Sequence, residues 1–231
     1  MQSRNATREV WFIRHGESVA NAGGRTKETA SCPLTEKGFR QARQLAGALP
    51  TTPDFIVHST YLRAWQTAEP TMQRFRGVPV DEWTVQEVQY LDPVLCVDTT
   101  QTDRTLMAQA YWERSEPDYA APGAESFAFF MERARSTVET LFERREGLTF
   151  VFSHGHFMRA IVWTMLFRPS AIDVAAMQHF RQFMMSYPVP NCSIVPMYFH
   201  ENGARSLGAL WVPEGLEREH AEPVPSHLVG L

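Results

Sequence analysis

Val10-Trp11-Phe12-Ile13-Arg14-His15-Gly16-Glu17 reads as a short buried strand that stops abruptly at a charged turn containing glycine. Thr149-Phe150-Val151-Phe152, followed by Ser153-His154-Gly155-His156, repeats the pattern far along the chain. Two strands that each end at a histidine suggest one crevice, because open α/β sheets bind ligands beyond the carboxyl ends of their strands.

Working outward, Phe39, Ala42, Leu45, Ala46 and Leu49 recur at helical spacing after Leu34, with Thr35 as N-cap and Pro50 as stop. Asp54 to His58 reads as a second strand. Leu62, Trp65, Ala68, Met72 and Phe75 form a second apolar helical stripe, which Pro70 is expected to kink or restart by removing a backbone donor. Residues 92 to 124 lose periodicity and carry Pro93, Pro117 and Pro122 around one short helix near Leu106 to Arg114, the pattern of an inserted cap. A strong amphipathic helix follows over Phe127 to Phe142, and another carries Ile161, Val162, Met165 and Leu166. Cys192 to Phe199 and Leu207 to Val212 read as closing strands, with Pro196 favouring an edge position or a bulge in the first. The fold expected is one α/β domain over residues 1–231, a three-layer sandwich. It has a mainly parallel central sheet, helices on both faces, a cap-like insertion at about 92–124 and an irregular tail at about 213–231.

Composition narrows the function classes. With 44% apolar, 21% charged and 12% aromatic residues, the chain is that of an ordinary globule with a sizeable core. Twenty-two basic against 26 acidic residues leave a charge of -4, which supplies no field for nucleic acid or anionic lipid. Three scattered cysteines fit neither a disulfide framework nor a Cys-rich zinc site. With no apolar leader or membrane-length run, a cytoplasmic location is expected.

A phosphate monoester needs cationic donors for its oxygens, a nucleophile in line with the leaving oxygen, and an acid for that oxygen. Arg14 beside His15 offers a forked guanidinium next to an imidazole. The neighbouring positive charge should keep His15 neutral and nucleophilic.

Phe12-Ile13-Arg14-His15-Gly16-Glu17-Ser18, followed by Asn21, resembles the signature loop of the histidine phosphatase superfamily, also called phosphoglycerate mutase-like. Pro33-Leu34-Thr35 with Gly38, Gln41 and Ala42 resembles the next block, and Arg63-Ala64 with Gln66-Thr67-Ala68 the second arginine block. Gly123-Ala124-Glu125-Ser126, Ser153-His154-Gly155 and Asn191-Cys192-Ser193 resemble three later ones. Six blocks in order are far more specific than a lone Arg-His-Gly. The resemblance implies that His15 is phosphorylated, that Arg14, Asn21 and Arg63 bind the phosphoryl oxygens, and that His154, with Gly155 beside it, donates to the same group. It also implies a glutamate acid after the second arginine block, and Glu87 fits better than Glu82, whose neighbours Asp81 and Trp83 read as a solvated turn. With a protonated His154, up to three positive charges would surround the phosphoryl group.

The resemblance further implies no cofactor, no metal and a phosphorylated small molecule as substrate. A metal hydrolase is disfavoured, since His154 and His156 are the only close histidine pair and no compact Asp cluster completes a site. Two alternatives remain at this point: a phosphoglycerate mutase, and a phosphatase or binding module directed at phosphoproteins. Arg25-Thr26-Lys27-Glu28-Thr29 replaces the Phe-Thr-Gly-Trp-like stretch of cofactor-dependent mutases, and Glu113-Arg114-Ser115-Glu116-Pro117 has one arginine where they carry a pair. Other polar residues have structural tasks: Glu17 to bond the loop, Ser126 to cap a helix, Arg25 and Lys27 to face solvent. His58, His179, His200, His220 and His227 are expected to be ordinary, and His156 either to line the crevice or to start a helix.

Overall fold

A computed structural model describes residues 7–216; His220, His227 and the tail beyond residue 216 lie outside the described residues. Six strands form one sheet in the order β3-β2-β4-β1-β5-β6. β1 (Arg8–Arg14), β4 (Leu148–Ser153), β2 (Phe55–Ser59) and β3 (Val80–Trp83) run parallel, while β5 (Ile194–Phe199) and β6 (Arg205–Leu207) are antiparallel additions.

The two-residue period of a strand divides the core into two layers. Val10 and Phe12 of β1, Phe55 and Val57 of β2 and Val151 of β4 face the larger apolar cluster. Trp11 and Ile13, Ile56, and Phe150 and Phe152 face the other. On this second face lie α1 (Glu36–Ala48) and α2 (Leu62–Arg74), contributing Leu45 and Ala68. The first face is covered by α4 (Phe127–Glu143), α5 (Gly155–Phe167) and α6 (Val174–Ser186). The result is the three-layer α/β sandwich expected.

Side-chain oxygens start three of these helices: Thr35 accepts from Gly38 N, Ser126 from Phe129 N and Asp173 from Ala176 N. Helix α5 has no such cap of its own.

Several local expectations need correction. Helix α2 runs through Pro70 without interruption. The second closing strand is short, Arg205–Leu207, with only an isolated bridge at Trp211. Pro196 is not on an edge, because β5 lies between β1 and β6. Its carbonyl accepts from Gly208 N at 2.8 Å, so its missing N–H points toward β6. There the opposing chain carries one residue more between the Met197–Leu207 and Ile194–Trp211 pairs, a bulge that leaves no ladder bond for proline to break. Asp81 to Trp83 is no turn but β3, and α6 is an element that the periodicity did not disclose.

The 92–124 segment supplies a 3₁₀ turn (Val94–Cys96) and α3 (Thr105–Arg114). Tyr111 and Trp112 anchor α3 in the core, the latter 6.0 Å from the Phe127 ring. The rest stays peripheral: Val94, Leu95 and Val97 are exposed.

Candidate active site

Arg14, Ser59 and Ser153 are the last residues of β1, β2 and β4, three adjacent parallel strands. The next residues, His15 and His154, therefore leave the sheet at one edge and meet with ring centroids 5.1 Å apart. Both are buried, at 3% and 0% exposure.

His15 is fixed in one tautomer. Nδ1 lies 2.6 Å from Gly16 O, and a carbonyl can only accept, so Nδ1 carries the proton. Nε2 keeps its lone pair, toward which Arg63 Nε donates at 3.2 Å. Burial, then the charges of Arg63 and Arg14, hold the imidazole well below its usual pKa. The ring is neutral, with Nε2 unprotonated. Its backbone is pinned as well: His15 N donates to Ser153 O, and His15 O accepts from Asn191 Nδ2 at 2.9 Å.

The loop packs closely on α1. A Cβ on Gly38 would stand 2.1 Å from Glu17 O, so a larger residue there would push the His15 loop away. Glu17 itself accepts from Thr35 Oγ1 at 2.8 Å and pairs with Lys37 at 2.9 Å. Asn21 Oδ1 accepts from Ser18 N and Oγ and from Asn191 Nδ2, tying its amide to the same loop.

Arg63 is buried in the first turn of α2. Its Nη1 donates to Thr29 O at 2.8 Å, and its guanidinium carbon lies 5.0 Å over the Tyr61 ring. Thr67 Oγ1 links the two elements by donating to Arg63 O and accepting from Gly16 N. Arg14 Nη1 donates to Val189 O at 2.5 Å. Gly155 leaves room for it, since a Cβ there would lie 3.4 Å from Arg14 Nε and 3.1 Å from an Arg159 nitrogen.

His154 Nε2 lies 2.8 Å from Ser59 Oγ, whereas its buried Nδ1 has no hydrogen-bond partner. Burial, then Arg63 and His15, push its pKa well below the usual histidine range. The expectation of a protonated His154 is thus overturned: a ring desolvated beside a guanidinium does not hold a second positive charge. Arg14 and Arg63 bring two positive charges to the site, and His154 adds no third.

Glu87 meets the site from the other side. Its carboxylate accepts from His156 N at 3.1 Å and Phe157 N at 3.2 Å, and so caps α5 from a distant part of the chain. Its Oε2 is also 3.1 Å from His156 Nδ1. Burial works to raise the pKa of Glu87, but its contacts with the His156 ring and backbone N–H hold it well below the usual carboxylate range. Glu82, by contrast, is exposed on β3 with His58 Nδ1 4.0 Å away.

Residues not foreseen hold Glu87 in place. Arg133 Nη1 donates to Thr84 O and Gln86 O, while its other nitrogens grip Glu125 at 2.7 and 3.2 Å. Glu125 Oε1 accepts from Gln89 N, and Ser153 Oγ donates to Val85 O. Ser59, Tyr61 and Arg133 were all missed, and Thr67 stood in the second arginine block without a role. For Ser59 there was a signal, its position after a strand, as at Arg14 and Ser153. Among the described residues no three His, Cys, Asp or Glu side chains gather as a metal site.

A nucleophilic imidazole, two guanidiniums, an unsatisfied buried ring nitrogen and a carboxylate define a class of sites built to handle a phosphoryl group. The chain belongs to the histidine phosphatase superfamily (branch 1), whose family model matches residues 10–209. It is 28% identical over 176 residues to the adenosylcobalamin/alpha-ribazole phosphatase of Salmonella typhimurium, covering 74% of this chain and 84% of that one. A protein of Cronobacter sakazakii described as a probable phosphoglycerate mutase is 30% identical over 170 residues, covering 70% and 76%. The crystal structure of the alpha-ribazole phosphatase of Shigella flexneri superposes with a TM-score of 0.69 at 22% identity, covering 87% and 95%. No helix among the described residues is long and apolar enough to cross a membrane.

Proposed function

We propose that this protein is a phosphatase that hydrolyses phosphate monoesters of small molecules in two steps, with His15 as nucleophile and Glu87 as proton carrier. The observation that carries the reading is the fixed tautomer of His15. Nδ1–H is committed to Gly16 O, and Nε2 keeps its lone pair and faces Arg63. In the first step Nε2 attacks phosphorus, the bond to the leaving oxygen breaks, and the Glu87 carboxyl gives that oxygen its proton. The positive charge that the imidazole gains is shared through Nδ1–H with Gly16 O. Arg14, Arg63, Asn21 and His154 Nδ1 are the donors for the phosphoryl oxygens.

Glu87 is ionised in the empty site, so it takes up a proton as substrate arrives, because an incoming phosphoryl anion adds negative charge beside it. A substrate monoanion brings that proton with it. In the second step water attacks the phosphohistidine and returns a proton to the Glu87 carboxylate, which leaves His15 neutral and the acid recharged.

Trapping the intermediate tests the reading. Wild-type protein quenched during turnover should carry acid-labile phosphate, and His15→Ala should carry none. If His15→Ala keeps more than about a hundredth of wild-type activity, the covalent route is wrong.

A further inference from the structure

Beside the phosphoryl site opens a cavity of about 330 Å³. Tyr61 is the common wall: its ring stands under Arg63 and 5.3 Å from that of His154. Thr29, whose carbonyl binds Arg63, and Gln89, two residues from Glu87, line it as well. The remaining wall is mostly apolar, from Ala30, Pro93, Val94, Cys96 and Val97.

Charge is scarce in the lining, and the arginines around it are engaged elsewhere. Lys27 is the one cation of the lining, beside the opposite charge of Glu28, whose carboxylate accepts from Ser31 Oγ at 3.0 Å. Arg25 donates to Asp98 O and lies 3.6 Å from Asp103. Arg104 Nη1 donates to the hydroxyls of Thr26 and Thr99, both at 3.1 Å, fastening the outer segment to the loop before the cavity. The Gln89 amide nitrogen is committed to Leu91 O at 2.8 Å. A second anionic group placed among Val94, Cys96 and Val97 would meet no cation and no strong side-chain donor there to replace its hydration.

We propose that this cavity receives the alcohol part of the substrate, and that this part is uncharged and largely apolar, an aryl, benzyl or branched alkyl group. Phosphorylated carboxylic acids are selected against. The inference rests on the reading of the His15 site as the phosphoryl site, but it can fail separately.

Two non-hydrolysable ligands make the test: benzylphosphonate and 3-phosphonopropionate, titrated calorimetrically into the wild-type protein. Benzylphosphonate should bind about tenfold more tightly. Val94→Asn and Val97→Asn should each lower the ratio of benzylphosphonate to inorganic phosphate affinity several-fold. Equal or tighter binding of 3-phosphonopropionate, no binding of benzylphosphonate, or an unchanged ratio in both variants overturns the proposal. Phosphohistidine trapping with benzyl phosphate separates the two readings. A benzylphosphonate preference without phosphohistidine supports the apolar cavity and refutes the His15 mechanism; phosphohistidine with the reverse preference does the opposite.

Discussion

The strand-end site and the outer segment at 92–104 are neighbours built by opposite rules. At the strand ends the side chains are buried or half-buried and each is held by a backbone carbonyl, His15 by Gly16, Arg14 by Val189 and Arg63 by Thr29, while Ser153 O pins the His15 backbone. In the outer segment Val94 is 76% exposed, and the segment is fastened to the loop before the cavity chiefly through Arg104 and the Thr26–Thr99 bridge. Rigid, over-determined geometry suits a step that is common to all phosphate esters. A lightly held apolar edge suits selection among their alcohols, and can change without disturbing the chemistry.

The largest break in that comparison comes from Glu87, which caps α5 and, in the proposed reaction, carries the proton. Glu87→Gln should slow hydrolysis of alkyl phosphates by roughly 10²–10⁴-fold. On p-nitrophenyl phosphate, whose leaving oxygen needs little protonation, the loss should be far smaller. Equal losses on both substrates would remove Glu87 from the acid role. A stability signature should accompany it. The fold lowers the pKa of Glu87, so its contribution is present above the ordinary carboxylate range and is lost as pH falls through the lowered value. Glu87→Gln should therefore be less stable than wild type at neutral pH, and the gap should close in acid.

The next effect concerns the anion. Arg14 and Arg63 stand against a buried neutral His15 in a protein of net charge -4, and a bound oxyanion offsets their repulsion. Phosphate, and vanadate more strongly, should inhibit competitively and raise the melting temperature. Arg63→Ala should lose most of that rise. Arg63→Lys should recover only part of it, because an ammonium cannot repeat a forked contact. An unchanged anion response in Arg63→Ala would mean that this arginine does not face the phosphoryl group.

How far all this was legible in the sequence follows the same division. β1 and β4 were readable because continuous apolar runs end at charged turns, and the strand-end logic brought His15 and His154 to one edge. β3 was not, because three of its four residues are exposed and an edge strand buries no alternating face. The ionisation of His154 was misjudged for a related reason: its neutrality depends on burial and on Arg63, neither of which spacing reveals. Arg133 was missed because its partners lie 8, 47 and 49 residues away in the chain. The family blocks include several bracing residues, among them Thr67, Ser153 and Asn191, but not Arg133.

The smallest effect is the sharpest test of whether the two regions are independent. Arg104 does not line the cavity, and its side chain bonds to neither strand end; it fastens Thr26 to Thr99, 3.1 Å from each hydroxyl. Removing it costs the outer segment hydrogen bonds that are each worth about 1 kcal/mol. Arg104→Ala should therefore loosen the wall formed by Val94, Cys96 and Val97 while the phosphoryl donors keep their places. Benzylphosphonate affinity should fall about threefold to tenfold, with the inhibition constant for inorganic phosphate unchanged. Thr26→Val, which removes one acceptor of Arg104 while Thr99 remains, should give a smaller shift in the same direction. A parallel loss of phosphate affinity in Arg104→Ala would show that the outer segment helps to hold Arg63, through the Thr29 carbonyl on the shared loop, and the division between chemistry and selection would have to be redrawn at that residue.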